Sequence, residues 1–306
     1  MALSHDIIEN LTGYSKAMYA TWFYYKPGRL LLDAGEGVAS AMGNFIFGIE
    51  KVFISHGHHD HIGGLPGVVR ARNSARGDKQ KPLAIYYPWD DNLIEPIIEY
   101  IQKVSGRLDY DLTWNPLRPG DELPLGDEHD KPRSAGRTIV RAFQTPHSKR
   151  STSLGYKLVE RRRRLRPEFE GRPEAEIARL VKEQGREAVT ELYEHSLLVY
   201  GGDSMPLPVD EVRDCEVLLH DSTFLTPEDR GTETHAAMEE VMQLAAQANV
   251  VHLVLVHISS RYSKTQILKT ARKLADKYGL ADRTTLVIYR QIIPLIDDGE
   301  RPAGGA

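Results

Sequence analysis

Residues 55–65 read Ser-His-Gly-His-His-Asp-His-Ile-Gly-Gly-Leu, so four of the chain's 12 histidines and one aspartate fall within six residues. A neutral imidazole nitrogen is a good ligand for zinc-like ions. His56 and His58, two positions apart in an extended segment, project to the same side and can grip one ion together. Asp60 and His61 then offer a hard oxygen and a further nitrogen where the chain turns toward a helix, so one loop can serve two metals. A solvated surface tract or a purification tag would have a similar composition. This cluster, however, follows Lys-Val-Phe-Ile-Ser at 51–55, a run suited to a buried strand, and precedes a Gly-Gly turn.

If a strand delivers this loop, other strand ends must complete the site. Residues 20–25, 29–32, 52–54, 83–87, 138–143, 154–159, 197–200, 217–219 and 250–256 read as strands from their apolar, aromatic and β-branched content. Helical spacing of apolar residues runs through 38–47, 65–72, 92–105, 173–192 and 236–247. Asp33, His147, Asp203, His220 and His257 each stand at or just past the carboxyl end of a predicted strand, where α/β folds place their chemistry. Singly these residues say little. Two four- to five-coordinate metals need about seven protein ligands, one of them shared. His56, His58, Asp60, His61, His147, Asp203 and His257 supply that number.

The 306 residues can bury a full core, and we expect one domain over 1–306, with an inserted basic and helical arm at 161–192 and a disordered tail at 302–306. Hydrophobic content of 41% and charged content of 27% are globular values, and no run of 18 apolar residues could cross a membrane. The N-terminus carries no export pattern, and the one cysteine, Cys215, excludes an intramolecular disulfide, so a cytoplasmic location is expected. Cys215 itself reads as a small strand-edge residue rather than a nucleophile. The net charge of −4 argues against indiscriminate nucleic-acid binding. Residues 148–166, in contrast, hold eight cations (Lys149, Arg150, Lys157, Arg161, Arg162, Arg163, Arg164 and Arg166) against Glu160 alone.

The order His-x-His-x-Asp-His, then an isolated His, an Asp and a final His, resembles the metallo-β-lactamase superfamily of αββα sandwich hydrolases. The resemblance implies that one metal takes His56, His58 and His147, a second takes Asp60, His61 and His257, and Asp203 bridges them. Finer motifs are similar to those of the ribonuclease Z family, endonucleases that remove 3′ trailers from precursor transfer RNA. These are Asp33-Ala34-Gly35-Glu36-Gly37, Gly202-Asp203-Ser204, His220-Asp221-Ser222-Thr223 and, most specific, His257-Ile258-Ser259-Ser260-Arg261-Tyr262. His235 falls where that family keeps a catalytic histidine, and Asp221 replaces the usual glutamate that orients it. The family's N-terminal Gly-Thr-Gly is missing, His59 stands for a glycine, and no Gly-Pro-rich arm follows Tyr156.

The resemblance therefore implies an α/β metallohydrolase with a short basic inserted arm and two divalent ions, zinc foremost and manganese or iron as alternatives. Asp60, His235 and Asp221 would be its catalytic residues. Precursor transfer RNA would be the substrate, contacted by Arg161, Arg162, Arg163, Arg164 and Arg261, and the assembly a homodimer away from any membrane. The rival expectation is a small-molecule hydrolase of the same fold, acting on cyclic nucleotides, aryl phosphodiesters or lactones. The acidic net charge and the missing Gly-Pro arm favour it.

Overall fold

Apolar runs joined by short turns pair with their chain neighbours and build two sheets in strict sequence order. The computed structural model describes residues 2–73, 81–125, 138–147, 152–289 and 291–295. The first sheet is β1 (Leu11–Lys16), β2 (Ala20–Tyr25), β3 (Leu30–Leu32), β4 (Lys51–Phe53), β5 (Leu83–Pro88) and β6 (Leu112–Leu117). The second is β7 (Glu122–Pro124), β8 (Thr138–Thr145), β9 (Ser153–Leu165), β10 (Thr190–Tyr200), β11 (Val217–Asp221), β12 (His252–Val256), β13 (Thr284–Ile288) and β14 (Gln291–Pro294). Both sheets pass from antiparallel hairpins into a parallel block, β3 to β6 in one and β10 to β13 in the other.

Within the parallel blocks β3, β11, β12 and β13 are buried almost throughout, as expected of strands covered on both faces. In β2 all six residues are buried: Phe23 and Tyr25 face the other sheet, while Trp22 and Tyr24 face the outer helices. The inter-sheet core holds Leu30, Leu32, Phe53, Tyr156, Leu158, Leu198, Tyr200, Leu219 and Val256. Burying each such large side chain contributes about 1.5–3 kcal/mol. Phe53 stacks on Tyr86 at 4.8 Å within its own sheet and tilts onto Tyr156 of the other at 5.1 Å. The Tyr156 hydroxyl, fully buried, donates across the layers to the Ile54 carbonyl at 2.6 Å, the partner a buried phenol requires. Helices Met238–Gln247 and Lys264–Tyr278 cover the second sheet, and Leu65–Asn73 and Ile94–Ser105 cover the first, giving the expected αββα layering.

Several boundaries differ from the sequence reading. The helix expected over 38–47 stops at Met42, because Gly43 takes φ 53° and the chain tightens into a 3-10 turn, Gly43–Gly48. The helical segment expected over 173–192 is two helices, Glu174–Gln184 and Arg186–Val189, broken at Gly185 with φ 88°. The arginine run that opens the expected arm is strand, its residues paired in β9 against Thr190 to Glu194 of β10. The expected arm is thus a two-stranded ribbon with a helical tip. The helix Lys264–Tyr278 went unread at the sequence level, although Ser263 and Gln266 form a capping box ahead of it and Gly279 closes it in the left-handed region. Cys215 is fully buried and burial pushes its thiol up to about 12, consistent with an inert packing residue. Among the described residues no helix is long and apolar enough to cross a membrane. The tail at 302–306, with Lys149 and Arg150, lies outside the described residues.

Candidate metal centre

β4 ends at Phe53, and Ile54 and Ser55 carry the chain to the carboxyl edge of the sheet, where the His-rich segment begins. The buried Asp33 carboxylate pins that segment, accepting the Ser55 amide at 2.7 Å, the Ser55 hydroxyl at 2.8 Å and the Tyr200 hydroxyl at 2.5 Å. A second carboxylate, Asp91, accepts the Gly57 amide at 2.6 Å. Gly57 cannot be replaced by a larger residue, because a Cβ there would lie 2.6 Å from that of Leu93. The short helix His59–Ile62 then sets Asp60 and His61 one turn apart from the extended pair.

The second sheet brings the remaining groups. One donor atom from each of His56, His58, His147 and Asp203 lies within 4.8 Å of the others, and the same holds for Asp60, His61, Asp203 and His257. Asp203 belongs to both groups: its Oδ1 is 3.2 Å from His61 Nε2 and 3.3 Å from His257 Nε2, and its Oδ2 is 3.7 Å from His56 Nε2. Gly202, at φ 58°, lets the chain turn against Ser55, since a Cβ would stand 2.7 Å from that of Ser55. Asp33 and His257 also adopt left-handed φ values, 56° and 59°. Such conformations cost about 1–3 kcal/mol each and gather at functional sites.

Four of the five ligand-candidate rings have their far nitrogen fixed by an outer acceptor. Ser55 Oγ donates to Asp33 and therefore accepts from His56 Nδ1 at 3.0 Å; His61 Nδ1 donates to Asp33 Oδ2 at 2.7 Å. His147 Nδ1 donates to the Thr234 carbonyl at 2.8 Å. The Thr223 hydroxyl donates to Asp221 Oδ1 at 2.7 Å, which leaves its oxygen to accept from His257 Nδ1 at 2.9 Å. In all four rings Nε2 is thereby left with a lone pair turned to the centre, the arrangement expected of metal-ligating histidines. His58 reverses this, with Nδ1 facing His56 Nε2 at 2.9 Å.

The electrostatics call for positive charge at this point. Burial and the neighbouring rings hold His56 well below its ordinary value, and burial lowers His147. Burial works against Asp203 as a carboxylate, but His257, His61 and His56 hold it well below the usual range. His61 is driven the other way: burial lowers it, while Asp203 and Asp33 together raise it well above normal. His61 Nε2 and Asp203 Oδ1 are also buried with no hydrogen-bond partner, which a cation between them would satisfy. The residues present thus fit a pair of divalent ions.

Beside this cluster His235 Nδ1 lies 2.7 Å from Asp221 Oδ2 and 3.9 Å from Asp203 Oδ2. Burial lowers the His235 pKa, but the Asp221 hydrogen bond and charge more than offset it and carry it up to about 9. The shorter aspartate reaches the ring without loss of contact. Arg230, unread in the sequence, holds the loop, pairing with Glu240 at 2.7 and 3.1 Å and donating to the His235 carbonyl at 3.5 Å. Asp33, Tyr200, Thr223 and Asp91 were likewise not assigned to the site. Asp33 carried a signal in its place at a strand end in a glycine-punctuated corner, and Thr223 in the His220-Asp221-Ser222-Thr223 motif.

The four expected RNA contacts in β9 are each paired with a carboxylate. Arg161 pairs with Glu122 and Glu194, Arg162 with Glu160, Arg163 with Glu187, and Arg164 with Glu191. Residues 153–200 hold ten basic and nine acidic side chains, so the ribbon as a whole is nearly neutral. Arg161 and Arg163, with Arg186 and Leu192, line a groove of about 290 Å³. Arg261 donates to the Asp229 carbonyl at 3.2 Å and lies over Phe224 at 5.0 Å. His59 is exposed and belongs to neither ligand group.

An αββα sandwich with this donor set at the strand ends defines a metal-dependent hydrolase of the metallo-β-lactamase superfamily, whose description matches residues 21–133. The human short-form tRNase Z has the same fold, with a TM-score of 0.58 and 20% identity over 82% of this chain and 93% of that one. Ribonuclease Z of Natronomonas pharaonis is 31% identical, covering 77% of this chain and 79% of its own length, and that of Halobacterium salinarum is 32% identical over 76% and 78%. The chain belongs to the ribonuclease Z family.

Proposed function

We propose that this chain is the endonuclease that removes the 3′ trailer of precursor transfer RNA, using two divalent ions, zinc foremost. The observation that carries the reading is the pair of four-donor groups sharing Asp203, with the His235–Asp221 pair against the same carboxylate. His56, His58 and His147 would hold one ion, Asp60, His61 and His257 the other, with Asp203 between them. Bound there, the ions would bring water ionisation near neutral pH and neutralise charge on the phosphate. Asp60, which accepts the Met18 amide at 3.0 Å and approaches His257 Nε2 at 3.3 Å, is held to orient the attacking water. His235, kept protonated by Asp221, would give its proton to the departing 3′ oxygen, leaving a 3′ hydroxyl on the transfer RNA.

The names of the relatives support RNA as the partner, and the groove lined by Arg161, Arg163 and Arg186 is the ribbon's candidate phosphate contact. Arg162, Arg164 and Arg261 would be further cationic contacts for the RNA. Residues 161–192 would serve as an inserted arm of a single domain, and a homodimer in the cytoplasm is the expected assembly. The deciding experiment is incubation of the zinc-loaded protein with precursor transfer RNA and mapping of the cut. A single incision at the 3′ trailer is expected. Turnover of bis(p-nitrophenyl) phosphate or a lactone with the precursor left intact would replace this reading with the small-molecule one.

A further inference from the structure

The helix Lys264–Tyr278 carries Lys264, Lys269, Arg272, Lys273 and Lys277 against one acid, Asp276, in a chain of net charge −4. Its buried positions, Ile267, Ala271, Leu274 and Ala275, recur at helical spacing and pack on the second sheet. Lys269, Arg272 and Lys273 stand on the opposite face, and all three are exposed. Lys277 is already taken, pairing with Glu239 at 2.7 Å. That glutamate is held below the usual carboxylate range by its bond to Lys277 first, and Lys273 adds only its charge from further off. Among the described residues no carboxylate forms an ion pair with Lys269, Arg272 or Lys273. The ribbon is in the contrary state, since Arg161, Arg162, Arg163 and Arg164 each hold a glutamate.

The topology sets where this face lies. β12 and β13 are parallel, so the helix between them runs opposite to both and starts at the edge where the strands end. The metal ligands gather at that edge, and six residues join His257 to Lys264. Within them the Ser259 amide donates to the Thr223 carbonyl at 3.1 Å, and Ser263 caps the helix. The cationic face thus begins beside the metal centre and descends the flank. Lys269 lies about 8 Å along the axis from Lys264, and Lys273 about 6 Å further.

We propose that this face holds the phosphate backbone of a base-paired stem of the precursor RNA where the stem leads away from the cut; the proposal rests on the RNA-processing reading. Charge complementarity fixes the class of partner. A polyphosphate backbone is a run of anions, and cations that hold no internal carboxylate are the ones able to neutralise it and release its counterions. The absence of aromatic rings from the face fixes the form of the RNA. Tyr278, the one aromatic of the helix, is half-buried and packs on the core. Single strands are gripped by rings on which their bases stack, whereas a duplex turns its bases inward and is met at its phosphates.

The test compares the zinc-loaded wild type with Lys269→Gln, with the triple variant Lys269→Gln, Arg272→Gln and Lys273→Gln, and with a control, Lys26→Gln with Lys103→Gln, whose lysines are exposed in the first half of the chain. The slope of log affinity for the precursor against log salt should become shallower by about 0.9 for each cation removed from the helix, the duplex value. KM should rise with kcat unchanged, metal content and Tm should match wild type, and the control should keep the wild-type slope. With the trailer shortened to a single nucleotide, the triple variant should suffer the same rise in KM. A rise that vanishes with the trailer overturns the assignment to the stem. An unchanged slope in the triple variant, or an equal change in the control, overturns the role of the helix. A wild-type protein that leaves the precursor uncut removes the RNA-processing reading itself, an outcome told apart by that measurement alone.

Discussion

Asp33 Oδ2 lies 2.7 Å from His61 Nδ1, and both side chains are fully buried at the junction of the two sheets. The carboxylate also holds Ser55 and Tyr200, so it ties the ligand loop to the opposite layer. Asp33→Asn keeps the shape but loses the charge and presents an amide donor to groups that are themselves donors. Metal affinity should fall about 10–100-fold, the usual cost of losing the outer partner of a ligating histidine. Metal titration under equilibrium dialysis measures this, and an unchanged affinity would refute the role.

For His235→Ala, kcat on precursor transfer RNA should drop about 10²–10⁴-fold, because a positioned proton donor contributes that much. Metal content should stay at the wild-type level, since the group of His56, His58, His147 and Asp203 and the group of Asp60, His61, Asp203 and His257 are both complete without His235. Asp221→Asn should show the same loss in lesser degree, through a ring no longer held protonated. Steady-state kinetics beside metal analysis separates this outcome from simple loss of the centre.

Asp203 is common to both ligand groups, whereas His58 serves one. Asp203→Ala should therefore empty both sites, and His58→Ala should weaken one. In the wild type, an ion present at about a thousand times its Kd stabilises the fold by about 4 kcal/mol. That corresponds to a rise in Tm of roughly 6 °C for a chain of 306 residues. Thermal melts with and without chelator should show the shift in wild type and its absence in Asp203→Ala.

Far from the centre, His252 begins β12 and its Nε2 meets Thr285 Oγ1 at 2.8 Å. Burial, aided by His5, lowers its pKa from 6.5 to about 4, so the unfolded chain binds a proton that the folded chain refuses between those values. Its contribution to stability is complete above pH 6.5 and is lost as pH falls toward 4. Between pH 7 and pH 5 the wild type should lose about 2 kcal/mol more than His252→Gln. Urea unfolding at the two pH values gives the comparison; parallel losses would remove His252 as the cause.

The ribbon's arginines are testable through salt. Arg161→Gln with Arg163→Gln opens the groove that Arg186 and Leu192 share with them. If each contacts a phosphate, the slope of log affinity against log salt should become shallower by about 0.7–0.9 per arginine. An unchanged slope would mean that the glutamates facing them already satisfy their charge.

The ligands nearest in sequence were legible from local pattern alone, because His56 to His61 follow a strand and obey a two-residue alternation. His147, Asp203 and His257 were readable only as strand ends whose number matched the donors two metals require. Asp33 also stood out as a strand end, but its orienting role, like those of Thr223 and Tyr200, resisted such reading. Asp33 and Thr223 act by touching a ligand and Tyr200 by touching Asp33, each from another part of the chain, and a lone threonine or tyrosine looks the same whether it packs or orients. The arginine run misled in a different way. Its composition speaks of an open cationic arm, but pairing with Glu191 and Glu194 across the strands, and with Glu187 on the helical tip, depends on register and fold, which a count of charges does not contain.

The loop after β4 brings four donors from one sheet, while His147, Asp203 and His257 come from the other. Neither layer can perform chemistry alone, and a chain in which one half has slipped or melted is silent instead of sloppy. Cations at this seam act as rivets, so activity itself inspects the assembly, and a misfolded nuclease cannot be loose in the cell with working scissors.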